Sequence, residues 1–132
     1  MSLHHESSVA DRDSAEIARR SYRAYVDKDR SAIERLLAED FHFTSPLDNR
    51  IDRTAYFARC WPNSTMIAEF NLIHTVPYGD YVFVTYEAQS TNGKRFRNSE
   101  VLTVRDGKIT DVEVYFGWEI PHEAAEGGFV GT

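Results

Sequence analysis

Residues 96–117 read FRNSEVLTVRDGKITDVEVYFG, two alternating stretches on either side of Asp106-Gly107. Alternation over this length, broken by a turn dipeptide, specifies two long antiparallel strands. In the first strand Phe96, Asn98, Glu100 and Leu102 share one face, and Arg95, Arg97, Ser99, Val101, Thr103 and Arg105 share the other. A carboxylate among apolar neighbours stands out. Without water or a partner its charged form is costly, so desolvation is expected to raise the pKa of Glu100.

The strands on either side join this face according to loop length, because a change of one residue reverses every side chain that follows. With Thr91-Asn92-Gly93 as a three-residue loop, Val82, Val84, Tyr86 and Ala88 fall on the face of Glu100. With Arg105-Asp106-Gly107 as another, Val112, Val114, Phe116 and Trp118 join them. Two-residue loops would instead place Glu87, Asp111 and Glu113 beside Glu100, so the apolar pattern favours three-residue loops. Upstream, TMIAEFNLIHTV alternates as well and puts His74 on the face of Met66, Ala68, Phe70 and Leu72.

The N-terminal half has a different period. In SAEIARRSYRAYVDK, residues 14–28, Ile17, Ala18, Ser21, Tyr22, Tyr25 and Val26 recur at helical spacing, with Ser14 or Asp13 as N-cap. Ser31 is placed to cap a short helix carrying Ile33, Leu36 and Leu37. DFHFTSPLDNR, residues 40–50, reads as a strand running into a bend at Ser45, Pro46 and Asp48. Asp52 then caps RTAYFARCW, and Pro62 stops that helix at Trp61. Three helices followed by long strands is an α+β order, with helices covering one face of a mostly antiparallel sheet. One domain over residues 13–120 is expected, between a flexible N-terminus, 1–12, and a loosely held tail, 121–132.

Composition narrows the function classes. A net charge of −6 without a basic block gives a phosphate backbone nothing to bind, so no nucleic-acid partner is expected. No apolar run reaches the roughly 20 residues a membrane span needs. The opening MSLHHESSVADRDS lacks the apolar stretch of a signal peptide, and the single Cys60 forms no internal disulfide. A cytoplasmic protein without a membrane partner is expected. The five histidines show no metal-binding spacing, and neither a metal nor a cofactor is expected.

The helix–helix–strand–bend–helix order, then "FRNSEVLTVRDGKITDVEVYFG", resembles the SnoaL-like branch of the nuclear transport factor 2-like superfamily. That superfamily also holds ketosteroid isomerases, limonene epoxide hydrolases and scytalone dehydratases. The resemblance covers roughly residues 13–120, and its most telling pieces are Tyr25 to Asp29, Phe41 to Pro46 and Asp106-Gly107-Lys108-Ile109. It implies a cone, a curved sheet wrapped around three N-terminal helices with a pocket inside, and a homodimer formed through the sheet.

Carried over residue by residue, the isomerase general base falls on Ser45, the oxyanion-hole tyrosine on Ser21 and the oxyanion-hole aspartate on Glu100. One acidic group of the three survives, which argues against steroid isomerase chemistry. The resemblance implies a small-molecule enzyme doing acid–base chemistry of the isomerase, cyclase, dehydratase or hydrolase kind. The alternatives are a binding module without chemistry and a dimeric interaction protein. The expected catalytic set is Glu100, Asp48 and His74, although Asp48 also reads as a turn residue and His74 as a satisfied strand-end histidine. The expected walls are Tyr22, Tyr25, Phe43, Ser45, Trp61, Tyr86, Asn98 and Phe116, around a small apolar molecule.

Overall fold

The computed structural model describes residues 9–129. Helix α1 (Val9–Asp27) is followed by α2 (Arg30–Leu36), the hairpin β1 (Leu37–Ser45) and β2 (Asp48–Asp52), and α3 (Arg53–Arg59). A 3₁₀ turn, Trp61–Met66, then leads into β3 (Ile67–Tyr78), β4 (Tyr81–Ser90), β5 (Arg95–Arg105) and β6 (Lys108–Ile120). The six strands lie in the order β2-β1-β6-β5-β4-β3. Only β1 and β6 run parallel. The sheet is curved and unclosed, and the helices pack on its concave side, as an α+β cone requires.

The core lies between these layers. Ala18 and Tyr22 of α1, Ile33 of α2 and Tyr56 and Phe57 of α3 meet Phe41, Val82, Val84, Leu102 and Ile109 of the sheet. Helix α1 begins at Val9 rather than near Ser14, and Asp11 is already buried, so residues 9–12 belong to the fold. The remainder of the expected flexible N-terminus, residues 1–8, and the end of the tail, 130–132, lie outside the described residues. Asp29, not Ser31, caps α2 by accepting from the Ala32 N–H, and Asp52 caps α3 through Ala55 as expected. Helix α3 stops at Arg59, and Trp61-Pro62 opens the 3₁₀ turn instead of ending the helix.

The register fixes which residues face the helices. Between β4 and β5 the loop has three residues, with the Ser90 N–H donating to Lys94 O and Gly93 at φ 86°. Val84 consequently lies opposite Glu100, and Tyr86 opposite Asn98. Between β5 and β6 the loop has two residues, because Arg105 pairs with Lys108 across Asp106 (φ 51°) and Gly107 (φ 76°). That corrects the expected Arg105-Asp106-Gly107 loop: Asp-Gly with positive φ at both residues is the hairpin turn that suits strand twist. The parity nonetheless comes out as read, because a bulge makes Thr103 oppose Asp111 while Val104 opposes Ile109, leaving Thr110 extra. Glu100 then lies opposite Val114, and Leu102 opposite Val112.

A second bulge reverses the end of β6. Asn98 pairs with Phe116 and Arg97 with Trp118, so Gly117 is the extra residue and Trp118 leaves the face it was expected to share with Glu100. Only glycine fits there: a Cβ on Gly117 would stand 2.1 Å from the Arg97 carbonyl oxygen. The Asn98 side chain accepts from the Gly117 N–H at 3.1 Å and holds the bulge in place.

Candidate functional site

A cavity of about 500 Å³ lies between the concave face and the helices. Its inner part is walled by Phe41, Leu102 and Ile109, which are almost completely buried, and its outer part by Leu47, Phe116 and Trp118, which are half exposed or more. The gradient in exposure gives the cavity a floor and a mouth.

Glu100 stands at the floor. The Tyr22 hydroxyl of α1 donates to its Oε1 at 2.9 Å, and the Tyr86 hydroxyl of β4 donates to its Oε2 at 2.7 Å. Asn98 Nδ2 donates in turn to the Tyr86 oxygen at 3.3 Å. Helical spacing points Tyr22 at the sheet, and sheet register sets Tyr86 and Asn98 opposite one another, so three elements converge on one carboxyl. The surface Glu100 keeps faces the cavity rather than bulk water. Burial raises its pKa, and the hydrogen bonds from Tyr86 and Tyr22 oppose the rise without cancelling it. Burial also raises both tyrosines, with Glu100 adding to the effect, so they act as phenols and not phenolates.

The mouth carries a second carboxyl group. Asp48 begins β2 directly after the Pro46-Leu47 turn, and the Ser45 hydroxyl donates to its Oδ2 at 2.9 Å. Arg59, from the last turn of α3, meets Asp48 Oδ1 at 3.0 Å, and the Cys60 thiol lies 3.9 Å from Oδ2. Burial, reinforced by Asp48 and opposed by Arg59, pushes that thiol up to about 11, which makes Cys60 a poor nucleophile at neutral pH. Tyr25 reaches across from α1, donates to Cys60 O at 3.3 Å and is itself raised by burial.

Of the expected residues, Glu100, Asp48, Tyr22, Tyr25, Phe43, Ser45, Tyr86, Asn98 and Phe116 line the cavity. His74 does not. A bulge in β3 pairs Leu72 with Tyr86 but His74 with Thr85, which turns the histidine to the exposed outer face. Trp61 does not line it either: it is buried behind the wall, edge-on to Tyr25 with ring centroids 5.6 Å apart.

Tyr56, Cys60, Asn63, Phe70 and Phe96 line the cavity beyond the expected set. Tyr56 and Cys60, four residues apart on one helix face, carried a readable signal. Phe70 carried one too, by alternation along β3. Asn63 follows Pro62 in a turn without period and carried none. Among the described residues no group of three or more His, Cys, Asp or Glu side chains could hold a metal ion, and no helix is long and apolar enough to cross a membrane.

Residues 18–112 match the SnoaL-like domain. Among solved structures the chain is similar to a protein of Kribbella flavida DSM 17836, with 23% identity and a TM-score of 0.71 over 78% of this chain and 85% of that one. A candidate ketosteroid isomerase of the same organism matches at 18% identity and a TM-score of 0.70, over 81% and 79% of the two chains. An LEH-like epoxide hydrolase of M. tuberculosis matches at 20% and 0.69, over 82% and 85%. At these identities the likeness concerns the fold. No curated protein matches the chain.

Proposed function

The chain belongs to the SnoaL-like domain family, and on that premise we propose that it is a small-molecule enzyme in which Glu100 moves a proton to or from an apolar ligand. One observation carries the reading: a carboxyl group with a raised pKa, held by two phenols, stands at the floor of a mostly apolar cavity. A general acid or base works best when its pKa lies near the working pH, and burial moves a glutamate in that direction. Tyr22 and Tyr86 steady the charged form while it exists, and the rings around them exclude water. Asp48 and Ser45 assist at the mouth, where their polar atoms meet the outer end of the ligand. His74 is no part of the site.

A binding module is the second reading, and the Asp48–Arg59 pair supports it. Asp48 already accepts from Ser45 and faces Arg59, so a second base would have to leave its partners first. Glu100→Gln separates the two readings. Loss of turnover far beyond any loss of ligand affinity supports the enzyme, and a wild-type protein that binds but converts none of its ligands supports the module.

A homodimer through the outer face of the sheet belongs to the same proposal. Tyr81 and Phe83 are both 45% exposed and in ring contact, and Tyr115 and Tyr78 extend the apolar stripe. Thr103, expected on that surface, is buried within the single chain, so the aromatic residues would make the contact. Light scattering at micromolar concentration giving the mass of a single chain would remove the dimer.

A further inference from the structure

The charges and hydrogen-bonding groups of this cavity are one-sided. Its acidic lining residues are Asp48, Glu100 and Glu119, and no Lys, Arg or His side chain lines it among the described residues. The guanidinium of Arg59 is taken up by Asp48 and is not part of the lining. An anionic ligand would meet carboxyl groups and no free cation.

The donors are one-sided as well. The Tyr22 and Tyr86 hydroxyls donate to Glu100, the Tyr25 hydroxyl to Cys60 O, and the Ser45 hydroxyl to Asp48. What remains open at the floor is the acceptor capacity of the Tyr22 and Glu100 oxygens, the O–H of Glu100 while it is protonated, and the second N–H of Asn98. A ligand that brings its own N–H groups satisfies such a floor better than one that brings only a carbonyl. Aromatic rings complete the surroundings: Tyr22, Tyr25, Phe70 and Tyr86 pack edge-on or tilted around the floor, with Phe43 and Tyr56 beside them. Faces of such rings attract a cation, an effect that grows when water is excluded.

From this we infer that the ligand is an apolar nitrogen base, an amine or N-heterocycle, bound with its nitrogen at Glu100 and its hydrocarbon body among the rings. The inference rests on the proton-transfer reading above and names its substrate class. When a neutral base enters, the Glu100 O–H bond breaks and an N–H bond forms. The electron pair of the new bond comes from nitrogen, and a carboxylate–ammonium pair remains, steadied by the two phenol donors. The reverse step returns the proton.

Three probes that differ only in their head group test it: naphthylmethylamine, naphthylmethanol and naphthoic acid, titrated calorimetrically against the whole protein at neutral pH. The amine should bind about tenfold more tightly than the alcohol, and the acid about tenfold more weakly than the alcohol. In Glu100→Gln the advantage of the amine should fall below about threefold while the alcohol binds within about twofold of wild type. Should the variant not fold, competition between amine and alcohol for one site in the wild-type protein decides the same point. Alcohol or acid binding tightest overturns the nitrogen base and leaves the proton-transfer reading standing. An amine preference that survives in Glu100→Gln, or one not competed by the alcohol, belongs to surface charge and also overturns it. If none of the three binds at about 1 mM, the nitrogen base and the small-molecule reading fail together.

Discussion

The two carboxyl groups of the cavity are alike in one respect and opposite in another. Glu100 at the floor and Asp48 at the mouth both accept from neutral hydroxyls, Tyr22 and Tyr86 in one case and Ser45 in the other. Asp48 also has a guanidinium at 3.0 Å, whereas Glu100 has no cation within its shell. Phenol donors can orient a buried carboxylate but bring no opposing charge, so burial still raises Glu100. The lesson is that a carboxyl buried among neutral donors without a counter-charge has its pKa raised, which leaves a proton able to move.

The strongest way to break the comparison is Glu100→Gln. Turnover of any substrate should fall by about 10²–10⁴-fold, the usual contribution of a positioned acid or base, well beyond the loss of about tenfold or less in ligand affinity. Single-turnover assays alongside equilibrium titration check this. A loss confined to affinity would make Glu100 an anchor.

Tyr86→Phe removes one of the two phenol donors and the partner of Asn98 Nδ2. It should cost about 1–2 kcal/mol in urea unfolding and raise the Glu100 pKa further, because a bond favouring the charged form is lost. Carbon-13 NMR titration of the Glu100 carboxyl reads the second effect, and an unchanged midpoint would contradict the role given to Tyr86.

Stability against pH sharpens the comparison. A carboxyl whose pKa is raised in the folded protein is held protonated longer there than in the unfolded chain. Its penalty is therefore absent at low pH, grows as pH rises from the unfolded value of about 4.3, and is complete above the folded value. Glu100→Gln should be neutral or stabilising at about pH 8 and lose that advantage toward about pH 4, by about 1.4 kcal/mol for each unit of pKa difference. Urea unfolding of both proteins at the two pH values tests this; a variant less stable than wild type at the higher pH would mean that Glu100 is an ionised structural partner.

The smallest effect is expected at the mouth. Arg59 is 58% exposed, so Arg59→Ala should cost under about 1 kcal/mol, and less at high salt. A larger loss would make the Asp48–Arg59 pair a structural element and not a surface ion pair.

Much of this was legible by periodicity. The convergence of Tyr86, Asn98 and Glu100 follows from alternation and a three-residue loop, and both observed in the structure agree with the reading. The face shared with Val112 and Val114 was read correctly through a wrong turn: the Asp106-Gly107 turn is one residue shorter than expected, and the bulge at Thr110 makes up the difference. Two errors compensated, and the apolar pattern was sound because it records what must be buried regardless of how the chain turns.

His74, Trp118 and Trp61 show where that evidence ends. Each bulge adds one residue and reverses the faces after it, and His74 and Trp118 both lie just beyond one. His74 lies on the edge strand β3 and Trp118 near the end of β6, where either orientation meets enough water to be tolerated, so alternation alone does not choose. Trp61 was expected to wall the cavity and is buried behind the wall instead, because whether a buried ring faces a cavity or backs its wall depends on packing from several elements at once.

The sequence by itself determined the α+β order, the amphipathic faces, the helix cap at Asp52 and the buried carboxyl of Glu100, because these depend on period, on local hydrogen bonding and on the cost of burying charge. The tertiary structure alone decided that Tyr22 rather than Ser21 meets Glu100, that Arg59 claims Asp48, and that bulges take His74 and Trp118 off the face of Glu100, Trp118 remaining at the cavity mouth. Those contacts join residues up to 78 positions apart. Their geometry is set by how helices seat on a curved sheet, and no local pattern in the chain encodes it.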